Sequence, residues 1–283
     1  MEPRVRDVSR RLRDVAEPLA ANVYFAAEAQ DAYAELGVTS YGAGYFCSRS
    51  ACMGQLPGEV VAATFGVFDP ALVTRSVRKG WSITDAPSML EARRRGATAA
   101  LRRILGDEPA GAAWATGALR SAMEAAPLAG RPIFSGLRSL PWPGDPLGDL
   151  WRAADLVREH RGDGHVAAWV AAGVDAVEIT LLTERWWGLP PGSFAPTRGW
   201  KADAIEAGTA RLVERGLAEG DGLSADGRAL RDAIEEATDR AEAEVVTALG
   251  DDADRVIDAL GPLARAVLDS GGYPAPQPST VPR

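Results

Sequence analysis

Apolar residues repeat at helical spacing along most of the chain. Near its start, Val5, Val8, Leu12, Val15 and Leu19 follow one another at steps of three and four residues, which places them on one stripe of an amphipathic helix. Pro18 is expected to kink or restart this first helix. The same periodicity predicts further helices over 22–36, 57–68, 70–79, 87–105, 109–126, 147–161, 165–172, 175–187, 200–215, 225–249 and 253–269. A mainly α fold follows.

Two segments depart from this periodicity. Residues 216–224 predict two very short strands around a Gly220-Asp221-Gly222 turn. Helices followed by a small hairpin have the order of a winged helix. Residues 127–146 hold five prolines and several glycines, a composition that resists regular structure and predicts a linker.

A set of residues recurs at a fixed offset of 119 positions, with no gap. Such a repeat predicts two copies of one supersecondary unit that face each other across a cleft. We therefore expect two tandem winged-helix-like modules, each with a small wing, at 1–126 and 147–270, followed by a disordered tail at 271–283. The matched residues are Gly54, Glu59, Thr64 and Trp81 in the first half and Gly173, Glu178, Thr183 and Trp200 in the second.

Composition describes an ordinary globular chain of 283 residues, 46% apolar and 25% charged. No apolar run is long enough to cross a bilayer and the N-terminus is charged, so we expect a cytoplasmic protein without membrane partners. Two cysteines fit a reducing compartment. Arginine outnumbers lysine, which occurs only at Lys79 and Lys201, and this bias suggests an actinobacterial source.

Charge is distributed unevenly. From Lys201 to the end, nine basic residues face seventeen acidic ones, so this stretch carries the whole net charge of -8. Residues 1–200 are balanced.

Two resemblances follow from particular segments. The run Thr209-Ala-Arg-Leu-Val-Glu-Arg-Gly-Leu217, the wing, and Leu223-Ser-Ala-Asp-Gly-Arg-Ala-Leu230 resemble the MarR-type winged helix. The whole chain is similar to the SalK-type helix-turn-helix family of actinobacteria through Gly44-Tyr-Phe46, Ala63-Thr-Phe65 and Glu159-His-Arg-Gly-Asp-Gly-His-Val-Ala-Ala168. The family name implies DNA binding, although a fold does not determine a function.

Electrostatics argue against a duplex reader, which needs basic side chains to displace counterions from phosphates. In helix 200–215, Lys201 and two arginines are offset by three acidic residues, and the wing adds Glu219 and Asp221. The corresponding helix of the first copy is richer in arginine, so one half could still touch DNA. A MarR-like transcriptional regulator stays as the alternative function.

The preferred interpretation places a small hydrophobic or aromatic ligand of specialised metabolism in the cleft, since clefts between modules commonly hold such ligands. Ordinary core packing is the competing interpretation for most of the aromatic residues. The adjacent Trp186 and Trp187 point about 100° apart on a helix, so burying both needs a second covering surface. The candidate ligand contacts are Tyr45, Phe46, Arg49, Phe65, Trp81, Arg161, Trp169, Trp186, Trp187 and Trp200, with Arg161 as the expected contact for an anionic group.

The main polar cluster is Arg158–His165, which contains both histidines of the chain. His165 with Asp163, Glu159 and His160 is the candidate acid–base set, because histidine transfers protons near neutral pH and a carboxylate can orient it. In the structural alternatives, Asp163 caps a helix that starts at His165, and His160 interacts favourably with the dipole at a helix C-terminus. The sequence leaves open a receptor or an enzyme.

Cofactor chemistry has no support in the sequence. There is no glycine-rich phosphate loop and no dinucleotide fingerprint, and no third ligand accompanies the histidines, so neither a cofactor nor a metal is predicted.

Glu59 and Glu178 would converge if the pseudo-twofold axis passed near them; otherwise each serves its own module. The Val5–Leu19 stripe packs either internally or on a second copy, so a monomer and a homodimer both fit.

Overall fold

The computed structural model describes residues 2–271, which form fourteen α-helices and one antiparallel two-stranded hairpin. The helices of the first half are α1 Pro3–Ala21, α2 Ala27–Glu35, α3 Tyr41–Ser50, α4 Gly58–Phe65, α5 Pro70–Trp81, α6 Ala86–Leu105 and α7 Ala112–Ala125. The later elements are α8 Pro132–Arg138, α9 Pro146–Ala171, α10 Ala176–Trp186, α11 Ala202–Glu214, β1 Ala218–Glu219, β2 Gly222–Leu223, α12 Ala225–Arg240, α13 Ala243–Leu249 and α14 Asp252–Asp269. The expected tail lies outside the described residues except for Gly271.

Side-chain caps fix several helix starts. In each case a carboxylate or hydroxyl accepts the backbone N–H three residues ahead, which satisfies one of the free donors at a helix N-terminus. Asp175 and Glu178 form a complete capping box at α10. The other capping residues are Asp69 for α5, Asp85 for α6, Asp145 for α9 and Ser224 for α12.

The mainly helical class and the hairpin at 216–224 are confirmed, but several boundaries differ. Helix α1 continues through Pro18 to Ala21 without a restart. The predicted helix over 225–249 is two helices, α12 and α13. Residues 127–146 contain a seven-residue helix, α8, because Pro132 occupies its first turn and Ile133, Phe134 and Leu137 are buried.

The predicted break between helices 147–161 and 165–172 is wrong. Gly162, Asp163 and Gly164 lie inside α9, which runs unbroken for 26 residues. Glycine-rich sequence favours a turn only where nothing else holds the backbone, and here residues on both sides of the pair of glycines are fixed by buried contacts. Asp163 therefore caps no helix beginning at His165.

The residues matched at the 119-residue offset differ in their structural positions. Gly54 and Gly173 both have positive φ after a helix, and α4 and α10 follow them. Trp81, however, ends a helix, whereas Trp200 lies in the loop before α11. Both strands of the described residues belong to the second half, so the expected wing of the first half is wrong: α6 is followed by a loop. The internal repeat stays a prediction.

Two hydrophobic cores organise the chain. The larger contains residues of α1–α9 together with α13 and α14, which return to pack on α1 and α7. The smaller contains Trp169 and residues of α10–α12 and the hairpin. The expected module boundary at 127–146 is thus crossed by packing, and α9 runs from one core into the other. Over the described range no single helix has both the length and the apolar character to cross a bilayer, although the pair α9 and α10, bent by 107°, reaches that composition together.

The contact between α2 and α6 tests this packing. A Cβ added to Gly96 would meet the Ala29 Cα at 2.4 Å, whereas one added to Gly117, on the exposed face of α7, would meet no atom within 4 Å. We expect Gly96→Ala to lower the free energy of unfolding by about 1–3 kcal/mol through overpacking. Gly117→Ala should raise it by about 0.5–1 kcal/mol, because alanine is the better helix former. Denaturant titrations measure both, and equal effects would contradict the close helix contact.

Candidate functional site

A cavity of about 580 Å³ lies between the two cores. Its walls come from α1, α3, α4, α8, α9, α10 and α12 and from the segment 187–198. The centre of α9 lines this cavity. Residues 158–165 form the polar stretch between the parts of α9 that enter the two cores. The volume falls in the usual range for small-molecule sites, about 300–1,000 Å³.

Aromatic rings form one wall of this cavity. Tyr45, Phe65 and Phe68 pack together, with the Tyr45 and Phe68 centroids 5.7 Å apart and those of Phe65 and Phe68 6.3 Å apart. In the segment after α10, the Trp187 ring lies 5.3 Å from that of Phe194, and both residues line the cavity. Trp186 also lines the cavity, and its Nε1 donates to Asp232 at 2.8 Å. These rings offer a large apolar contact surface at little conformational entropy.

The other aromatic candidates do not reach the cavity. Phe46 is buried against Phe65 and Phe68 in the larger core, where Trp81 also packs. Trp169 belongs to the smaller core, and the Trp200 Nε1 donates to the Val67 carbonyl at 3.0 Å. Their apolar surface is consumed by packing, the competing interpretation given above.

Arginines dominate the polar lining, and most are paired with carboxylates. Arg161, expected to contact an anionic ligand, instead bonds Glu235 at 2.7 Å and Asp239 at 2.8 Å. Glu235 also receives Arg13 and Arg231, at 3.1 and 2.9 Å, and these arginines lower its pKa despite its burial. The eight cavity arginines are Arg10, Arg13, Arg49, Arg158, Arg161, Arg198, Arg228 and Arg231.

Arg49 and Glu159 form a bidentate ion pair next to the aromatic wall. The Arg49 Nε and Nη2 donate to the two Glu159 oxygens at 2.8 and 2.7 Å, and Arg158 adds a third bond at 2.6 Å. Burial alone would raise the pKa of Glu159, but Arg49 and Arg158 lower it to about 2. Glu159 is fully buried and stays ionised at neutral pH, so it acts as a counter-ion and not as a proton carrier.

His160 lies away from the cavity. Its Nδ1 is 2.7 Å from a Glu242 carboxylate oxygen, and its ring meets the edge of Phe134 at 4.7 Å. Both His160 and Glu242 are buried, and neither lines the cavity. His160 therefore ties α9 to the start of α13.

Asp163 lines the cavity and caps a helix from another part of the chain. Its Oδ2 accepts the backbone N–H of Phe134, in the first turn of α8, at 3.0 Å. Helix α8 has no side-chain cap of its own. Burial raises the pKa of Asp163 to about 7, so the group exchanges its proton near neutral pH.

The hydrogen bonds around His165 fix its tautomer. Thr238 Oγ1 donates its single proton to the Ile234 carbonyl at 2.9 Å and therefore accepts from His165 Nδ1 at 3.0 Å. Burial and the charge of Arg231 lower the pKa of His165 to about 3, which keeps the ring neutral. Because Nδ1 carries the proton, Nε2 keeps a lone pair that can accept a hydrogen bond or a proton.

Several cavity residues were not anticipated from the sequence. Arg10 and Arg13 lie on α1 beside the apolar stripe, and Arg231 and Glu235 form an i,i+4 pair on α12. That spacing was a usable signal. Nothing in the local sequence marks Arg198, whose carbonyl accepts the backbone N–H of Asp69 at 2.9 Å, next to Phe68 in the cavity wall.

On both candidate DNA-contacting helices the arginines are paired with carboxylates, and Lys201, directly before α11, is an exposed lysine. On α11, Arg211 bonds Asp175 and Arg215 bonds Glu178, each at 2.6 Å. Glu178 therefore makes its ion pairs within its own module, whereas Glu59 is exposed, so the two carboxylates do not have equivalent surroundings. On α6, the arginines are paired with carboxylates: Arg93 with Asp155, Arg94 with Glu91, Arg95 with Glu35, Arg102 with Asp107, and Arg103 with Glu28.

The described residues contain no group of three or more histidine, cysteine or acidic side chains placed to hold a metal ion.

Comparison with known proteins gives a family match: the model of a helix-turn-helix family covers residues 9–274. No curated protein and no solved structure matches the chain.

The buried carboxyl of Asp163 makes stability depend on pH. The folded chain holds its proton up to about pH 7, whereas the unfolded chain releases it near the ordinary pKa of 3.8. The stabilising contribution is therefore complete below pH 4 and is lost as the pH rises to 7. Asp163→Asn stays neutral and keeps an oxygen for the Phe134 N–H. We expect it to exceed wild type in free energy of unfolding by on the order of 2 kcal/mol at pH 8, with no difference near pH 4.

Denaturant titrations at the two pH values measure this difference. The control is Asp258→Asn, at an exposed position of α14, which should give the same small effect at both pH values. An Asp163→Asn variant whose advantage did not grow with pH would contradict the assignment.

Proposed function

The chain belongs to this helix-turn-helix family, and from that premise we propose that its working site is the cavity between the two cores, which binds a small molecule with a large aromatic surface. The SalK-type resemblance and the arginine-rich composition lead us to place that ligand in actinobacterial specialised metabolism. The fold supplies the walls, and the function resides in the side chains that line them.

Gly162 is the observation that carries this proposal. It lies in the middle of α9, where glycine is less favourable than alanine by about 0.5–1 kcal/mol. Packing does not require it, because an added Cβ would meet only a Glu159 oxygen, at 3.5 Å, an ordinary contact. The space beside Gly162 is the cavity itself. Glycine at this position of the buried helix leaves the adjacent volume unfilled, and a ligand site needs such a volume.

The polar groups give the bound molecule an orientation. His165 Nε2 is a fixed acceptor for a ligand hydroxyl or N–H, and Asp163 lies two residues away on the same helix, also in the lining. The Asp163 carboxyl titrates near pH 7 and suits acid–base work on a bound substrate, whereas the neutral His165 imidazole suits recognition. Our proposal includes both roles for the pair, and a substrate-dependent reaction would separate the enzyme from the receptor.

The segment 187–198 covers one side of the cavity. Trp187, Phe194 and Arg198 face inward, and the buried Glu184 carboxylate accepts the backbone N–H groups of Gly192, Phe194 and Ala195. These bonds hold the segment over the site, and Ala195 anchors it in the smaller core. The aromatic wall is thus preorganised for a ligand.

A MarR-like DNA reader is the alternative, favoured by the family match. Its surface charge opposes it: the exposed residues of α11 include Asp203, Glu206 and Glu214, and the hairpin exposes Glu219 and Asp221. Since DNA affinity comes largely from neutralised phosphates, this surface would be repelled.

Filling the cavity from Gly162 tests ligand binding without unfolding the protein. The uncharged fluorescent probe phenylnaphthylamine should bind wild type and Gly162→Ala alike. Gly162→Leu places a side chain in the cavity and should weaken the probe at least about 10-fold, while its melting temperature equals or exceeds that of wild type, because leucine favours helix. Fluorescence titration and thermal melting measure these effects. Unchanged affinity in Gly162→Leu would refute the cavity as the binding site.

Gel retardation tests the alternative function. Against the DNA upstream of its own gene, the protein should form no complex that survives excess unrelated competitor at low salt. The charge-reversed control Asp203→Lys with Glu206→Lys, which makes the exposed face of α11 basic, should form a nonspecific, salt-sensitive complex. A specific wild-type complex would establish the DNA reader.

A further inference from the structure

We propose that the ligand is an aromatic anion and that the guanidinium of Arg198 binds its negatively charged group. This inference rests on the proposed function, because it names the chemical class of the molecule in the same cavity. It differs from the expectation for Arg161, whose charge is already matched by Glu235 and Asp239.

The pairing of the cavity arginines singles out Arg198. Six of the eight lie within 4.0 Å of a carboxylate: Arg10 with Asp239, Arg13 with Asp14 and Glu235, Arg49 with Glu159, Arg158 with Glu17 and Glu159, Arg161 with Glu235 and Asp239, and Arg231 with Glu235. Among the described residues, Arg198 and Arg228 have no such partner. Arg228 is exposed, whereas Arg198 is partly buried in the cavity wall.

Two rings hold the Arg198 guanidinium in place. Its central carbon lies 4.3 Å from the Phe194 centroid and 5.3 Å from that of Phe68. Its single side-chain hydrogen bond in the described residues is a long one, 3.4 Å from Nη1 to Thr197 Oγ1. A guanidinium carries five N–H donors. Most of its donors are therefore unused, and rings that contact its face leave its edge available for a planar or tetrahedral anion.

The surrounding charge makes the position attractive to anions. Burial lowers the pKa of Arg198, and the neighbouring Arg158 and Arg49 lower it further, against the opposing effects of Tyr45 and Glu17. Arg231, Arg161 and Arg13 act in the same direction on His165. The chain as a whole carries a net charge of -8, so this cavity is a positive region within an acidic protein.

An aromatic anion satisfies the whole lining at once. Its ring fills the space between Phe65, Phe68 and Trp187, and its carboxylate, sulfonate or phosphate meets Arg198. A neutral aromatic molecule would leave the guanidinium donors unmatched after water is expelled, which is costly. Charge is therefore the feature by which the site distinguishes its ligand from other aromatic molecules.

A pair of probes that differ mainly in charge tests the inference. Anilinonaphthalene sulfonate carries an anion on the aromatic framework of phenylnaphthylamine. Wild type should bind the sulfonate more tightly. Arg198→Gln should weaken the sulfonate by about 10- to 100-fold, the loss of a hydrogen-bonded charge pair, and change phenylnaphthylamine by less than about 2-fold. Arg198→Lys, which keeps the charge but not the fork, should recover part of the loss.

The control is Arg265→Gln, which removes an exposed arginine of α14 outside the cavity lining and should leave both affinities within about 2-fold of wild type. Equal weakening of both probes in Arg198→Gln, or no weakening of the sulfonate, would overturn the anion assignment while cavity binding stands. Failure of wild type to bind phenylnaphthylamine, or binding that survives Gly162→Leu, would overturn the proposed function itself.

Discussion

The structure depends on the burial of charged residues along the centre of α9 and on their pairing with groups from distant parts of the chain. Asp155 meets Arg93 of α6, Glu159 meets Arg49 of α3, and Arg161 meets Glu235 and Asp239 of α12. An unpaired charge in such surroundings would be strongly destabilising, so each pair constrains the position of the helix that supplies the partner. Helix α9 thereby sets the relative placement of α3, α6 and α12, and with them the walls of the cavity.

Buried ion pairs of this kind add little net stability compared with apolar packing, because desolvation offsets much of their attraction. Their effect here is to specify geometry. They also prevent the two cores from merging, since the polar stretch 158–165 cannot be covered by apolar side chains alone. The cavity forms where the aromatic wall from the first half faces this polar stretch across the remaining space.

Sequence periodicity predicted most helices and the hairpin, because those features depend on local pattern and local turn chemistry. It failed at Gly162-Asp163-Gly164, where tertiary contacts keep a turn-prone sequence helical. The cluster 158–165 was correctly singled out as unusual, and His165 and Asp163 do line the cavity. The roles of Glu159, His160 and Arg161 could not be predicted, because each depends on a partner at least 74 positions away in sequence. Arg198 was missed for the same reason: being unpaired is a property of the folded surroundings.

A rigid connection between the two cores follows from the unbroken course of α9. Leu150 and Trp151 near its start belong to the larger core and Trp169 near its end to the smaller one, with no flexible joint between them. Melting either core would remove the support of the shared helix and expose its buried charges. We therefore expect the two parts to lose order together, although the interior is divided in two.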